Sequence, residues 1–323
     1  MPRRFTLAHI SDVHLGPLPR FMLRHWNAKR VLGYVNWVRN RRRAHLPQTL
    51  ARLVADLSEQ APEHVAVTGD LINIGLPEEY EAAARWLERL GAPERVSVVP
   101  GNHDIYTHLD DDIGVGRWSP YMRSTAPDAL APLTGTALET FPYVRRLGAI
   151  ALIGLNSALP TGPFRAGGWF GAAQLGRLEA TLRQLSSGPV TRVVLVHHPA
   201  LPHQAPAAKA LADAADLEDV IVRCGAELVL HGHNHRPMLA FRQGEGGVIP
   251  FVGVSSGSIG RGSASEALAR YHIYDLEPGN REAPIELIAR GLAEPEGAVV
   301  ELERRLLIPV TGRLAGLERN AVL

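Results

Sequence analysis

The 323-residue chain has a single cysteine, Cys224, which excludes an internal disulfide and a cysteine cage for zinc. Any metal site must therefore be built from histidine, carboxylate and amide. No run of eighteen or more apolar residues occurs, so no membrane-spanning helix is expected. Lysine plus arginine (34) and aspartate plus glutamate (33) nearly cancel, so overall charge favours neither nucleic acid nor membrane as partner. The local exception is again an absence. From Val13 to Ala55 there is no acidic residue, while Arg20, Arg24, Lys29, Arg30, Arg39, Arg41, Arg42, Arg43 and Arg52 supply nine positive charges. Residues 5–10 read as a strand leading directly to Asp12 and His14, and a cleaved leader would destroy it; the cytoplasm is the expected compartment.

Short runs rich in valine, isoleucine and leucine alternate with helical patterns, and several of these runs stop at a turn carrying reactive side chains. The central one is Gly101-Asn102-His103-Asp104, after the run 96–99. The others are Asp12-x-His14, Gly69-Asp70, His197 and His233-x-His235. In open α/β sheets reactive loops collect at the carboxyl ends of strands, so these five sites are expected to converge. Helices are expected at 47–60, 78–90, 174–185 and 207–223. Strands are expected at 65–68, 149–155, 192–196 and 227–230, followed by a more antiparallel half at 238–242, 248–254, 271–276 and 285–289. Residues 105–140, with the acidic triplet Asp110-Asp111-Asp112, read as loop and short helix. The segment 306–310 is open between strand and exposed tail.

Oxygen and imidazole donors without sulfur suit divalent Mn, Fe, Zn, Co or Ni. Seven candidate ligands exceed what one ion needs, whereas two ions about 3.5–4 Å apart that share a carboxylate would use them all.

The ordered series Asp12-x-His14, Gly69-Asp70, Gly101-Asn102-His103-Asp104, His197 and Gly232-His233-x-His235 resembles the full signature of the calcineurin-like metallophosphoesterases, and within them the bacterial cyclic-nucleotide and glycerophosphodiester phosphodiesterase branch. The resemblance implies an α/β fold of two mixed sheets packed as a sandwich and flanked by helices. It implies one metal on Asp12, His14, Asp70 and His235, and a second on Asp70, Asn102, His197 and His233, with Asp70 bridging. It implies a phosphohydrolase, with a phosphodiesterase favoured, in which a metal-bridging hydroxide attacks phosphorus. His103 would then serve the leaving oxygen, with Asp104 holding its ring. A phosphomonoesterase, or a hydrolase of phospholipid or glycolipid diesters or pyrophosphates at a membrane surface, is the alternative; a non-catalytic scaffold comes last, because every expected ligand is present.

The chain is read as one domain, 1–323, with a basic helical insertion at 17–46 and an accessory segment at 280–323. The insertion, which holds Trp26, Tyr34 and Trp37, is either a solvated helical hairpin covering the sheet or a peripheral contact with an anionic membrane on its inner face. Nucleic acid is the weaker partner, since no nucleic-acid motif accompanies it, and the pattern sets neither oligomeric state nor metal identity. Among the other histidines, His9 is expected to be packed, His64 to lie on the surface, His198 and His231 to support ligands, and His203 and His108 to stand in loops near substrate.

Overall fold

The computed structural model describes residues 4–22, 26–107, 113–125 and 140–307. Two six-stranded mixed sheets carry the fold. The first has the order β12-β11-β10-β1-β2-β3, built from β1 (Phe5–Ile10), β2 (His64–Val67), β3 (Val96–Val98), β10 (Arg270–Leu276), β11 (Glu286–Leu292) and β12 (Val299–Leu306). The second has the order β4-β5-β6-β7-β9-β8, built from β4 (Tyr143–Leu147), β5 (Ile150–Gly154), β6 (Thr191–Leu195), β7 (Leu228–His231), β8 (Met238–Gly244) and β9 (Gly247–Gly253). In both, the strands that end at reactive turns run parallel: β1 beside β2 and β2 beside β3, and likewise β5, β6, β7 and β9. Their carboxyl ends therefore point the same way within each sheet.

The period of two along these strands divides the core. Val193, Leu195, Leu228, Leu230 and Val252 turn inward and share one core with Leu7, Val65 and Val67 of the first sheet. Their neighbours Val194, Val229 and Phe251 turn outward and pack under α5 (Gly171–Ser186) and α6 (Ala214–Cys224), on Leu178, Leu182, Leu217 and Ile221. Apolar residues at both phases explain why these strands read as continuous hydrophobic runs. On the first sheet, α3 (Pro47–Glu59) buries Leu50, Leu53 and Leu57, and α4 (Pro77–Leu90) buries Tyr80, Ala83 and Leu87, each at helical spacing. Both begin with proline in the first turn, where its missing N–H costs nothing.

Two expectations need correction, and one strand, β4, was not expected. His64 is buried within β2, where its Nε2 pairs with Ser97 Oγ at 2.8 Å, because it opens a strand flanked on both sides instead of a solvated loop. β4 lay unseen behind its two arginines; Arg145 is buried and donates to the carbonyls of Pro93 and Pro120, which neutralises the objection to a charge there. The basic segment is not a hairpin over the sheet. It is a single helical run, α1 (Ala28–Asn36), a π-helical turn Trp37–Arg41 and α2 (Arg42–Ala44), with no buried residue in any of the three. Its contacts are to loops that follow strands: Lys29 Nζ donates to Tyr106 O (2.9 Å) and Thr161 Oγ1 (3.1 Å), and Arg30 to Gly75 O and Thr107 Oγ1. Gly33 permits the seating, since a Cβ there would come within 2.4 Å of the Tyr106 hydroxyl. The open segment 306–310 begins as β12 at Leu306, and residues 308–310 lie outside the described residues, as do Arg24, His108 and the triplet Asp110-Asp111-Asp112.

Candidate metal centre

The five reactive turns meet. Asp12 and His14 follow β1, Asp70 follows β2, Asn102 and His103 follow β3, His197 follows β6, and His233 and His235 follow β7. Of the nine non-glycine residues with positive φ among the described residues, five are in this set: Asp12 (52°), His14 (39°), Asp70 (53°), His233 (72°) and His235 (53°). Such backbone costs on the order of 1–3 kcal/mol per residue and persists only where surrounding structure imposes it. The imposition is visible. Asp12 N donates to Gly69 O, His14 N to Asp70 O, and His233 N to Asp12 Oδ2 (2.9 Å), so each turn is tied to another. Gly101 lets the turns close up, because a Cβ there would lie 2.2 Å from Asp70 Oδ1.

Every imidazole of the set has one nitrogen engaged away from the centre. His14 Nδ1 pairs with Ile72 O (2.9 Å), His197 Nδ1 with Thr68 O (2.7 Å), His235 Nδ1 with Glu266 Oε1 (2.8 Å) and His233 Nε2 with Lys209 O (3.0 Å). A nitrogen facing a carbonyl must carry the proton, which leaves the opposite nitrogen as a lone-pair donor. Those opposite nitrogens converge: His14 Nε2 lies 3.4 Å from His235 Nε2, and His197 Nε2 lies 3.1 Å from His233 Nδ1 and 3.2 Å from Asn102 Oδ1. Asp12 Oδ1, buried and without a hydrogen-bond donor, is 3.3 Å from His235 Nε2. Asp70 Oδ2 stands between the two histidine groups, 3.8 Å from His14 Nε2 and 3.5 Å from His197 Nε2. Lone pairs aimed at one another in this way require a cation or a proton between them. Buried groups able to hold a metal ion are Asp12, His14 and His235, and Asp12, Asp70 and His197, with a third cluster of His197, His198 and His233.

The electrostatics divide the set. Burial alone would lower His235, but Asp12 and Glu266 push it up to about 9; His197 is likewise raised, with Asp70 and Asp12 outweighing its burial. Burial would raise Asp12, yet His235 and His197 hold its carboxyl well below the usual range. The set does not share one direction: the carboxylates draw His235 and His197 toward the charged form, while burial holds His14 and His233 well below the usual imidazole range and raises Asp70.

His103 lies beside this set, its ring 5.0 Å from that of His14. Its backbone N–H donates to Asp70 Oδ1 (2.8 Å), and its Nδ1 meets Asn73 O, so Nε2 is the nitrogen turned away from that loop. Asp104 does not hold this ring. Its two oxygens accept backbone N–H groups of Asp70, Gly101, Leu71 and Ile72, because adjacent side chains in a tight turn point apart. His9 is buried on Thr68 Oγ1, and His198 has both ring nitrogens engaged, by Ser157 Oγ and Ala166 O. His231 is buried with Nδ1 near Gly232 O, and His203 stands exposed in the turn 201–205.

Three participants escaped the sequence reading. Glu266 orients His235. His45 packs its ring 4.6 Å from His14 and 5.4 Å from His235, with Nδ1 on Ser258 Oγ. Arg41 places Nη2 2.8 Å from His103 Nε2. None lies near a reactive turn in sequence, and only the basic run containing Arg41 offered any signal.

Comparison with known proteins agrees with this geometry. Residues 5–237 match the family model for calcineurin-like phosphoesterases. The chain is 30% identical over 196 residues to the glycerophosphodiester phosphodiesterase GpdQ of Enterobacter lignolyticus, a match spanning 61% of this chain and 57% of that relative's length. It is 27% identical over 276 residues to a probable cyclic nucleotide phosphodiesterase of Synechococcus, spanning 84% and 88%. A dimetal phosphatase from Danio rerio has the same fold at TM-score 0.62 and 13% identity, covering 94% of this chain and 98% of that one. The chain belongs to the calcineurin-like phosphoesterase family, a class of metal-dependent phosphoric ester hydrolases.

Proposed function

We propose that the protein is a phosphodiesterase working with two divalent metal ions. The observation that carries this is the inward convergence of four imidazole nitrogens, each fixed by a bond on its other nitrogen, around two buried carboxylates and an amide oxygen. Asp12, His14, Asp70 and His235 would hold one ion and Asp70, Asn102, His197 and His233 the other. The position of Asp70 Oδ2 between the two histidine groups supports its being shared. The donor set fits Mn, Fe, Zn, Co or Ni, all of which accept nitrogen and oxygen ligands. When bound, the ions supply Lewis-acid activation of the attacking water and neutralise phosphoryl charge.

The chain's own groups do the rest. The His103 N–H bond to Asp70 Oδ1 fixes the carboxylate proposed as shared, and the Nδ1 contact to Asn73 O leaves Nε2 as the nitrogen that, once protonated, would serve the departing oxygen. Two relatives named as phosphodiesterases support a diester as substrate. The test is hydrolysis, with manganese added, of a bis-aryl phosphodiester beside the matching monoester. Preference for the diester is expected; preference for the monoester would make the protein a phosphatase.

A second reading concerns where the enzyme works. No helix among the described residues is long and apolar enough to cross a membrane. Yet Trp26 is 69% exposed and Phe164 88% exposed, and Leu32 and Val35 also face solvent from α1. Lys29 bonds Thr161, and Thr161 bonds the carbonyl of Arg165, so the segments carrying Trp26 and Phe164 adjoin, with Lys29 and Arg165 between them. Cations interleaved with exposed aromatics suit the surface of an anionic bilayer, with a phospholipid or glycolipid diester as the substrate it would supply. Sedimentation with vesicles containing phosphatidylglycerol should pellet the protein, and Trp26→Ser with Phe164→Ser should release it. If the wild-type protein stays in the supernatant, this reading fails.

A further inference from the structure

Among the described residues, three cations of the basic segment bond to other parts of the molecule, and they are used differently. Lys29 and Arg30 are spent on carbonyls and threonine hydroxyls of the loops beneath, which seats the helix. Arg41 reaches the centre instead. Its guanidinium lies against His103, Nη2 at 2.8 Å from Nε2 and Nη1 at 3.3 Å from Nδ1. Among the described residues no carboxylate pairs with it. This is an unusual resting place for an arginine, a permanent cation whose planar fork of donors matches the paired oxygens of a phosphate far better than a neutral imidazole.

The backbone at Arg41 is built to hold this position. It closes the π-helical turn Trp37–Arg41, a local widening of the helix that recurs at functional sites. Its carbonyl accepts from His45 N (2.8 Å), and His45 is itself packed between His14 and His235. The helix is thus pinned to the metal centre on one side of Arg41, while among the described residues the guanidinium's hydrogen-bonding contacts are to the imidazole, with Glu266 and Asp70 attracting it at longer range. The absence of any acidic residue from Val13 to Ala55 removes local competitors for the guanidinium.

We infer that Arg41 binds the phosphoryl group of the substrate, and that in the free protein it rests on His103 Nε2, the nitrogen that the leaving oxygen needs. Entry of a phosphate ester draws the guanidinium onto the non-bridging oxygens. The same movement uncovers His103. No covalent bond is made or broken in this exchange: the Nη2 N–H passes from the Nε2 lone pair to phosphoryl oxygens, and the uncovered Nε2 then takes up a proton from water before it can give one to the leaving oxygen. The inference rests on the phosphodiesterase reading for its substrate, but its test does not depend on turnover.

The experiment is calorimetric titration of manganese-loaded protein with inorganic phosphate, for wild type, Arg41→Ala and Arg41→Lys at matched metal content. Loss of a charge-assisted pair at a partly buried site should weaken phosphate binding about ten- to a hundredfold in Arg41→Ala. Arg41→Lys, which keeps the charge and loses the fork, should fall between; it also decides the matter if the alanine variant proves unstable. Guanidinium ion added to Arg41→Ala should restore part of the diester turnover, which a purely structural role would not allow. Phosphate affinity equal to wild type in either variant, or none in the wild type, overturns the inference. A wild-type protein that binds phosphate through Arg41 yet hydrolyses no ester would instead refute the proposed activity and leave Arg41 as an anion site.

Discussion

Replacing Asp104 by asparagine tests whether this carboxylate is a knot between turns or a partner of its neighbour His103. Asp104 is buried, its Oδ1 accepting from Leu71 N (2.8 Å) and Ile72 N (3.2 Å) and its Oδ2 from Asp70 N and Gly101 N (both 2.8 Å). Asparagine keeps one acceptor oxygen and turns the other into an NH2 group that confronts two buried N–H donors. Each donor so orphaned costs about 1–3 kcal/mol, so the substitution should destabilise the fold by roughly 2–6 kcal/mol. Against a typical total of about 5–15 kcal/mol, that is a large share. Urea unfolding of the metal-free protein should show a lower midpoint at an unchanged slope. If Asp104 served mainly to orient His103, Asp104→Asn would keep wild-type stability and lose turnover. A stability change below about 0.5 kcal/mol would therefore refute the knot.

Three further outcomes follow from the same geometry. Glu266→Gln removes the carboxylate that fixes His235 Nδ1 and should weaken metal binding about ten- to a hundredfold, read by competition with a chromophoric chelator; unchanged affinity would mean that His235 is oriented by other contacts. His103→Ala should retain the metal content of the wild type while lowering kcat about 10²- to 10⁴-fold, and full activity would remove His103 from the mechanism. For Asp56, burial alone would raise the carboxyl, but Arg290 and Tyr271 hold it below its ordinary 3.8. A depressed folded-state value contributes stability above the unfolded pKa that is lost as pH falls through the folded one. The stability gap between wild type and Asp56→Asn should accordingly close below about pH 4, and a gap constant down to pH 2 would contradict the pairing.

What was legible in the sequence was chemistry at strand ends. A run such as Thr191–Leu195 can only be a buried strand, and a histidine at its exit has a defined place, so local pattern sufficed to assemble the five turns. What could not be read was set by contacts remote in sequence. Arg41 meets His103 across 62 residues, and Glu266 meets His235 across 31; the basic run marked Arg41 without saying what it meets, and nothing local marked Glu266. Adjacency misled in the case of Asp104, where a tight turn separates neighbouring side chains. Polarity misled at His64 and β4, because the compensating partners, Ser97 Oγ and the carbonyls of Pro93 and Pro120, come from other elements.

The left-handed residues explain why the site and the fold are difficult to separate. Asp12, His14, Asp70, His233 and His235 each occupy backbone that side chains avoid, and an isolated turn would relax out of it. None of these turns is isolated. Asp12 Oδ2 accepts from His233 N, Asp70 N donates to Asp104, and Asp104 accepts from Gly101 N, so turns from both sheets form one cross-linked lattice. The residues proposed as ligands are therefore fixed by the same contacts that join β1, β2, β3 and β7. Metal binding there would add stability in proportion to the ion's preference for the folded over the unfolded chain. A chelated protein should accordingly melt lower than the loaded one while keeping its far-UV circular dichroism, and collapse of the fold on chelation would show that the lattice needs the ion to exist.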